Sequence, residues 1–340
     1  MSTSTLAKAI VPKHCIVCYG FPLDEEWKET VSEDLDPIQF EYHFLPDGPG
    51  MLYIFWLGLK FIWLVKRTQA NVIVTYNPRQ SFWFSLFLLL SGASVKHIAY
   101  AFNFYDLPQG KKRQVQAWVY KLVHHFVVHS NLEKELYSKH FNIPTNRIDV
   151  QLWWMREPKF EPLEPLKTGD YICALGTNAR DYASLLAAMK QLPNIKLVVV
   201  ARPNNFENLE LPPNVDISLN IEMPQAMNIL NFSRFMVLPL INSEERCGHV
   251  TLVAAMLLGK AFIATEAIGI QDYIRSGYNS ITCAPASPND LAQKIHHLWS
   301  DPFHCQQLGE NGKQFAKSNF SSTAGRSKFQ QLIAQVCSKP

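Results

Sequence analysis

The chain has 340 residues, of which 47% are hydrophobic and 18% charged, and its formal net charge at pH 7 is +3. This length suits two ordinary domains, and the composition is that of a folded protein rather than a disordered one. The small net charge does not indicate a nucleic-acid partner, and we expect none. Seven cysteines and no visible secretory signal favour buried thiols in a reducing cytoplasm. The close pair Cys15 and Cys18 has no partner pair elsewhere, so a metal or redox role is the weaker interpretation.

The N-terminal half alternates apolar strand patterns with helical ones. The predicted strands are His14–Tyr19, Ile38–Leu45, Asn71–Thr75, Lys96–Ala101, Phe126–Ser130 and Arg147–Val150. The predicted connections are a polar helix or turn at Asp24–Ser32, a turn at Asp47–Gly50, helices at Met51–Val65 and Ser81–Leu90, a basic helix within 102–125, and a helix at Asn131–His140. Strands and helices that alternate at this spacing predict βαβ units around a parallel sheet.

The apolar helix Met51–Val65 has two interpretations. It either packs in a core or lies in a membrane interface, with its tryptophans at headgroup depth. It is not predicted to span a membrane, because Lys60 interrupts it. Basic and aromatic residues nearby would attract anionic lipid, namely Lys66, Arg67, Lys111, Lys112, Arg113, Trp118 and Lys121. We therefore expect a cytoplasmic protein, with peripheral contact to the inner face of the cell membrane under the second interpretation.

The C-terminal half repeats the strand–loop–helix pattern after a proline-rich stretch at 156–169, which predicts a domain linker. Predicted strands are Tyr171–Leu175, Lys196–Val200, Val215–Ser218, Arg234–Pro239 and Ala261–Thr265. Predicted helices run to Gln191 and over Pro224–Asn231, Val250–Leu258, Ile270–Ser276 and Phe315–Val336. A helix that opens just after a strand presents unpaired backbone N–H groups and the positive end of its dipole, which together form an anion site.

One stretch, 243–288, carries an ordered set of motif residues. They are Gly248, Ala255, Met256, Gly259, Lys260, Ile263, Ala264, Thr265, Gly269, Asp272, Tyr273, Gly277, Tyr278, Asn279 and Pro285, followed by Asp290, Leu291 and Ala292. In order and spacing this set resembles the donor half of GT-B glycosyltransferases, most nearly family 4. The resemblance covers roughly 160–320 well, and the first half only in strand order.

The resemblance implies an α/β fold with two Rossmann-like domains whose parallel sheets face each other across a cleft. It implies an acceptor-binding domain over 1–155, a linker over 156–169, a nucleotide-sugar-binding domain over 170–320, and a final helix over 321–340 that returns to the first domain. It also implies transfer of a sugar from a nucleotide-sugar donor to a saccharide, lipid-linked or small-molecule acceptor hydroxyl, without a metal or other cofactor. Such chemistry belongs to polysaccharide or glycolipid synthesis.

A nucleotide-sugar site must neutralise the diphosphate that leaves as the sugar carbon gains positive charge. Arg180 is the first candidate cation, because it follows the Gly176–Thr177 turn after a strand; pairing with Asp181 or capping a helix is the alternative. Arg246 either adds a second positive charge or pairs with a neighbouring glutamate. The remaining candidates for the diphosphate are Gly176, Thr177, Gly248, His249 and Thr251.

The other candidate residues follow from the resemblance. Glu244 and Glu245 would contact donor hydroxyls, and Asn220, Ile221 and Glu222 would bind the nucleotide base. In the first domain, Asn103 would bond a sugar hydroxyl; the alternative for Asn103 and Asp106 is ordinary loop polarity. Asp106 would act as a general base toward the acceptor, which leaves inversion and retention both open. His124, His125 and His129 lack ligands at metal spacing and are interpreted as structural.

Two departures keep a non-catalytic alternative open. Many relatives carry a glutamate that holds the donor ribose where this chain has Ala254, and a histidine in the loop that here carries Asn103. A GT-B relative that binds sugar or serves as a scaffold in polysaccharide assembly would fit these changes. A nucleotide-binding epimerase of the same shape is a third hypothesis, without a sequence feature of its own.

Overall fold

A computed structural model describes residues 13–19, 38–44, 51–104 and 106–338. The predicted segments Asp24–Ser32 and Asp47–Gly50 lie outside the described residues. The chain divides into two compact units: the first contains the residues up to Gln151 and those from Arg326 onward, and the second contains Leu152–Gly325. Each unit is built on its own parallel sheet, which confirms the predicted α/β class with two Rossmann-like domains.

The first unit is a sheet flanked by helices. Its strands are β1 (Lys13–Tyr19), β2 (Ile38–Phe44), β3 (Val72–Tyr76), β4 (Lys96–Tyr100), β5 (His125–Val128) and β6 (Ile148–Val150). Its helices are α1 (Met51–Thr68), α2 (Pro78–Ser91), α3 (Gly110–Tyr120) and α4 (Asn131–Phe141), with a 3-10 turn at Thr145–Arg147. The order is β2-β1-β3-β4-β5-β6, with every pair parallel. Strands β3 and β5 are buried throughout, as strands covered on both faces must be.

The second unit has the order of a dinucleotide-binding sheet. Its strands are β7 (Ile172–Leu175), β8 (Leu197–Ala201), β9 (Val215–Leu219), β10 (Met236–Leu238), β11 (Phe262–Thr265) and β12 (Ile281–Cys283), arranged β12-β11-β10-β7-β8-β9. Its helices are α5 (Tyr182–Lys190), α6 (Met223–Phe232), α7 (His249–Leu257), α8 (Pro288–Ser300) and α9 (Pro302–Asn319), with 3-10 turns at Pro203–Phe206 and Ile268–Ile270. The strand order reverses between β7 and β10, which makes their carboxyl ends the expected ligand site.

The helix predicted over Ile270–Ser276 is wrong. The structure has only the 3-10 turn Ile268–Ile270, followed by further turns. The buried amide of Asn279 explains the difference: its oxygen accepts from the backbone N–H of Arg275 at 2.8 Å, and its nitrogen donates to the carbonyl of Tyr273 at 3.4 Å. A side chain thus takes backbone groups that a helix would pair internally.

The single helix predicted over Phe315–Val336 is two helices, α9 and α10 (Ser322–Ser338). The break falls at Phe320, whose ring is fully buried and whose carbonyl accepts from the N–H of Met155 at 3.0 Å. That carbonyl is therefore not available to continue a helix. Beyond the break, the Phe329 ring packs edge-on against Tyr100 with centroids 5.3 Å apart, within the first unit.

The proline-rich stretch 156–169 belongs to the second unit, so the structure does not place it between the units as a linker. The buried side chain of Asn228 on α6 holds it. The Asn228 oxygen accepts from the N–H of Leu166 at 3.0 Å, and its nitrogen donates to the carbonyl of Glu164 at 3.0 Å. Prolines have no backbone N–H to donate, so a proline-rich stretch cannot pair its carbonyls in a regular ladder. Here one amide side chain satisfies several of the backbone groups instead.

None of the described helices combines the length and the apolar character that crossing a bilayer requires.

A buried histidine cluster braces the first sheet. His97 on β4 is fully buried, and its two ring nitrogens lie 2.8 Å from Thr75 Oγ1 and 2.9 Å from Ser85 Oγ. Burial, and to a smaller extent the charge of His124, lower the pKa of His97 from 6.5 to about 3. The ring therefore stays neutral in the folded protein over the physiological range, because protonation would place an unpaired charge in the core.

We expect the free energy of unfolding to fall as the pH drops from about 6.5 toward 3. In that window the unfolded chain binds a proton at His97 that the folded chain excludes, so this one residue contributes up to about 1.4 kcal/mol per pH unit. Urea unfolding of the wild type and of His97→Gln at several pH values measures the contribution as the difference in slope. The control is His296→Gln on the exposed surface of α8, which should keep the wild-type slope. Equal slopes for all three proteins would contradict the assignment.

Candidate functional site

The predicted phosphate-binding residues meet where the order of the second sheet reverses. Residues 176–181 follow β7, and residues 239–248 follow β10. The two loops are joined by backbone hydrogen bonds, from Asp181 N–H to the Pro239 carbonyl at 3.0 Å and from Ile241 N–H to the Ala179 carbonyl at 3.2 Å. Helix α7 opens at the end of the second loop. The register of β7 beside β10 therefore brings together residues that lie about 70 positions apart in the sequence.

Arg180 is held by neutral acceptors. Its Nε donates to the Leu175 carbonyl at 3.2 Å, its Nη1 to the Asn178 carbonyl at 2.7 Å, and its Nη2 to Thr251 Oγ1 at 3.2 Å. Within the described residues it forms no ion pair. The Asp181 carboxylate instead caps α5 by accepting from the N–H of Ser184 at 2.9 Å. The guanidinium is thus fixed in place while its positive charge stays uncompensated.

Gly176 gives the guanidinium its space. Its φ of +114° is a conformation that residues with a side chain rarely adopt, and a Cβ there would lie 2.5 Å from Arg180 Nη2. The Gly176 carbonyl accepts from the Tyr182 hydroxyl at 2.6 Å. The neighbouring Thr177 carbonyl accepts from the side chain of Asn205 at 2.8 Å. The loop is therefore fixed from two sides, and phosphate binding by Gly176 and Thr177 stays a prediction.

Gly248 is the residue before the first turn of α7, with φ +105°, and an added Cβ would lie 3.0 Å from the Leu238 side chain. The first N–H groups of a helix lack partners within it, so α7 presents donors and a positive dipole end beside Arg180. Thr251, on the first turn, holds Arg180 directly. His249 Nε2 lies 3.1 Å from the Gly269 carbonyl, and its ring packs against Tyr273. His249 thus braces α7 against the loop after β11.

Arg246 is a second cation in the loop before α7. Its side chain is partly buried, and the described residues contain no hydrogen-bond partner for its buried Nη1. Within the described residues it pairs with neither Glu244 nor Glu245. Glu245 Oε1 accepts from the Asn242 side chain at 3.2 Å, and Glu244 is exposed. A buried unpaired guanidinium nitrogen calls for an acceptor, and an anionic ligand would supply one.

Cys247 is a contact residue that the sequence analysis did not single out. Its Sγ lies 3.7 Å from Arg180 Nη1 and 3.5 Å from the Asn178 carbonyl. Burial raises the pKa of this thiol, and the lowering effect of the Arg180 charge is smaller. The thiol therefore stays protonated and does not neutralise Arg180. In the sequence, its position between the candidate residues Arg246 and Gly248 was the signal that could have identified Cys247 as a site residue.

The predicted base-binding residues lie at the edge of the sheet, after β9. Asn220 is exposed, with φ +52°, and its N–H donates to the Ala201 carbonyl at 3.2 Å. Ile221 is partly buried, and Glu222 is an exposed residue at the start of α6. Among the described residues, these three make no hydrogen bond to the Arg180 loop. Their contact with the nucleotide base stays a prediction.

Ala254 lies in the core. It is fully buried on α7, where residues 252–257 all have buried side chains. In this packing a glutamate at position 254 would bury its carboxylate. The ribose contact that the resemblance assigns to this position is therefore absent from this chain's α7.

The candidate residues of the first unit, Asn103 and Asp106, lie in the loop after β4. Both are exposed. The Asn103 N–H donates to the Ala101 carbonyl at 2.9 Å, and the Asp106 carboxylate forms no hydrogen bond or ion pair within the described residues. A solvated carboxylate without a partner can accept a proton from an acceptor hydroxyl. The structure thus leaves both side chains accessible.

The histidines near α4 make structural contacts. His125 Nε2 lies 2.7 Å from Asp149 Oδ2, His129 Nδ1 lies 2.8 Å from the Gln151 carbonyl, and His124 Nδ1 accepts from the N–H of His97 at 3.1 Å. In the described part of the chain, no group of three or more His, Cys, Asp or Glu side chains could hold a metal ion. Cys15 is buried, and the side chain of Cys18 lies outside the described residues.

Comparison with known families and sequences gives a partial match. Residues 165–315 match the model of the family "Glycosyl transferases group 1". Two uncharacterized glycosyltransferases of Methanocaldococcus jannaschii are similar: MJ1178 is 37% identical over 83 residues, or 24% of this chain, and MJ1069 is 24% identical over 163 residues, or 46% of this chain. The aligned segments span only 23% and 40% of these relatives.

Similarity to solved structures covers nearly the whole chain. A glycosyltransferase from Rickettsia africae ESF-5 has a TM-score of 0.77 at 17% identity, covering 97% of this chain and 100% of that one. Anabaena Alr3699/HepE, crystallised with UDP, has a TM-score of 0.73 at 12% identity, covering 95% of this chain and 100% of that one. At such identities the similarity shows the fold. The resemblance to GT-B glycosyltransferases is confirmed.

We expect Gly176→Ala to displace Arg180. Gly277 provides the matched control, because it also has positive φ, +79°, but nothing lies within 4 Å of an added Cβ. Both variants should lose about 1–2 kcal/mol to left-handed strain. Gly176→Ala should lose about 1–2 kcal/mol more, since the guanidinium must leave its hydrogen bonds. Urea unfolding measures the losses, and a changed alkylation rate of Cys247 reports the displaced arginine, because the Arg180 charge lowers the pKa of that thiol. Equal losses and equal alkylation rates in the two variants would show that Gly176 does not shape the Arg180 site.

Proposed function

We propose that this chain is a glycosyltransferase that moves a sugar from a nucleotide-diphosphate donor to an acceptor hydroxyl. The uncompensated charge of Arg180, fixed beside the first turn of α7, is the observation that carries the proposal. The family match over residues 165–315 and the GT-B fold support it.

The geometry around Arg180 suits a diphosphate leaving group. A guanidinium has five N–H donors, and here one on Nε, two on Nη1 and one on Nη2 have neutral partners. The remaining Nη2 donor and the N–H groups at the start of α7 could donate to phosphate oxygens. Because these donors are already oriented, little reorganisation accompanies charge development in the transition state. Together with Arg246, they supply positive charge without a metal ion.

The remaining roles in the proposal are distributed over both units. Glu244 and Glu245 hold hydroxyls of the donor sugar, and Asn220, Ile221 and Glu222 lie by the base. In the first unit, Asn103 binds a sugar hydroxyl and Asp106 takes the proton from the attacking acceptor. General-base help of this kind contributes roughly 10²–10⁴-fold. The acceptor class is a saccharide or lipid-linked hydroxyl, as in cell-surface polysaccharide or glycolipid synthesis.

We expect Arg180→Gln to weaken donor binding by roughly 30-fold or more, since it removes a charge-assisted contact worth about 2 kcal/mol. Calorimetric titration with UDP-, GDP- and ADP-linked hexoses measures binding, and release of nucleoside diphosphate measures slow donor hydrolysis. UDP-glucose comes first, because a complex of the similar HepE contains it. The control is Arg202→Gln, an exposed loop arginine of the same unit. Equal affinity of wild type and Arg180→Gln would remove Arg180 from the site.

The buried Ala254 favours one alternative, a GT-B relative that binds nucleotide sugars or a saccharide without transferring the sugar. The same titration separates the two hypotheses. A transferase both binds and hydrolyses at least one donor of the panel, whereas a binding or scaffold protein leaves every donor intact.

A further part of the proposal is peripheral contact with an anionic membrane. Helix α1 has one face in the core, with Phe61, Leu64 and Val65, and an exposed stripe that contains no acidic residue. The stripe consists of Phe55, Trp56, Leu59, Lys60, Trp63, Lys66 and Arg67. Trp56 is 58% and Trp63 57% exposed, and the Lys60 and Arg67 cations lie over these two rings. Tryptophan beside cations on a helix surface suits a headgroup interface.

Right-handed crossovers place α1, α2 and α3 on the same face of the first sheet. On α3, Val115, Trp118, Lys111 and Lys112 are exposed, which extends the apolar and basic character of the α1 stripe. Arg113 is also exposed on α3, and its Nε donates to the His140 carbonyl at 2.7 Å.

We expect the wild type to co-sediment with phosphatidylglycerol-containing vesicles and to be released as the salt concentration rises, because screening weakens attraction between exposed charges. Replacing Trp56 and Trp63 together by Ser should reduce the bound fraction about tenfold or more, since two indoles leave the interface. The control Phe303→Ser removes a highly exposed ring from the second unit, 78% accessible, and should change nothing. Absence of binding at low salt, or equal loss in the control, would contradict the membrane proposal.

A further inference from the structure

The loop that carries Asn103 and Asp106 is anchored at three points of the first unit. The Phe102 N–H donates to the Val127 carbonyl at 2.9 Å, and the Phe102 ring is fully buried. The Phe104 N–H donates to the Tyr137 hydroxyl at 3.0 Å. The Pro108 carbonyl accepts from His140 Nε2 at 2.9 Å. Between these anchors, the two candidate side chains reach solvent.

Two of the anchors come from α4. Tyr137 and His140 are three residues apart, so they lie on neighbouring positions of one helix face. The Phe104 ring packs on the same face, with its centroid 5.3 Å from Tyr137 and 5.1 Å from Phe141. The loop therefore rests on α4 through both apolar contacts and hydrogen bonds.

Glu133 fixes the orientation of the Tyr137 hydroxyl. Its Oε1 accepts from that hydroxyl at 3.2 Å, and its Oε2 accepts from the N–H of His129 at 2.8 Å. Because the Tyr137 hydroxyl donates its hydrogen to Glu133, a lone pair of its oxygen is free to accept from the Phe104 N–H. The carboxylate is buried in the first turn of α4, where the helix dipole favours negative charge.

Ser130 already caps α4 by accepting from the N–H of Glu133, so the cap itself does not need the Tyr137 hydroxyl. We propose that Tyr137 and Glu133 are positioning residues, which fix the backbone at Phe104 so that Asp106, two residues further on, meets the acceptor hydroxyl in one orientation. The inference rests on the proposed function. It adds two residues that would act through the backbone at Phe104 rather than by touching a substrate.

The closing experiment uses Tyr137→Phe, which removes only the hydroxyl. We expect hydrogen exchange at the Phe104 amide to rise about tenfold, as the loss of one hydrogen bond implies. With the donor of the hexose panel that the wild type hydrolyses fastest, kcat should fall about tenfold and KM should change less than twofold. In an Asp106→Asn background, the same change should cost less than twofold, because the residue whose placement it disturbs is already lost.

Tyr120→Phe is the matched control. Tyr120 is a buried tyrosine of the same aromatic cluster, but its hydroxyl donates to the Pro78 carbonyl at 3.2 Å, away from the loop. It should leave kcat and the Phe104 exchange rate within twofold of wild type. An unchanged kcat in Tyr137→Phe, or an equal loss in the Asp106→Asn background, overturns the inference. If the wild type hydrolyses no donor, the proposed function itself is refuted. If the wild type and Tyr137→Phe hydrolyse the donor equally fast, only the inference about Tyr137 is refuted.

Discussion

The candidate site of the second unit depends on a positive charge that the fold fixes and that no carboxylate among the described residues neutralises. Arg180 lies between Gly176, Cys247 and Thr251, and every acceptor it meets there is neutral. A partly buried guanidinium without a carboxylate is costly, since desolvation is not repaid by an opposite charge. The neutral hydrogen-bond acceptors around Arg180 offset only part of this cost, and the protonated Cys247 thiol supplies no opposite charge. Under the proposed function, a bound diphosphate would supply that charge.

The core of the second unit explains why the site takes this form. Helix α7 is buried on nearly every side, and Ala254 is part of that packing. A buried alanine leaves no carboxylate at this position of α7, so under the proposed function polar contacts to a donor would come from the ends of α7 and the loop before it. Arg246, with its buried and unpartnered Nη1 among the described residues, lies in that loop. The site residues of this loop therefore include a cation whose charge no described carboxylate pairs.

Much of the fold follows from sequence periodicity, because buried parallel strands are apolar on both faces and short. The runs that became β3, β7 and β11 illustrate this. The errors occurred where a side chain or a distant backbone group replaced local hydrogen bonding. Asn279 replaced the helix predicted at Ile270–Ser276, and the Met155 N–H ended α9 at Phe320. Asn228 similarly bound the proline-rich stretch to α6. Local propensity cannot reveal such partners, since they lie far away in the sequence.

The candidate site was also predictable only as far as local sequence patterns reach. Loop position after a strand identified Gly176, Arg180 and Gly248, because carboxyl ends of parallel strands converge where the strand order reverses. What the sequence could not supply was which side chain supports which. Cys247 lies 67 positions from Arg180, and Tyr137 lies 33 from Phe104, so only the sheet register and helix packing bring each pair together. In both cases a neutral side chain, a half-buried thiol or a buried phenol, makes the contact without supplying a charge. Arg180 has no carboxylate partner among the described residues, and Asp106 is exposed. Support of this kind leaves no motif, because any residue of suitable size and hydrogen-bonding capacity at the right place in the fold can provide it.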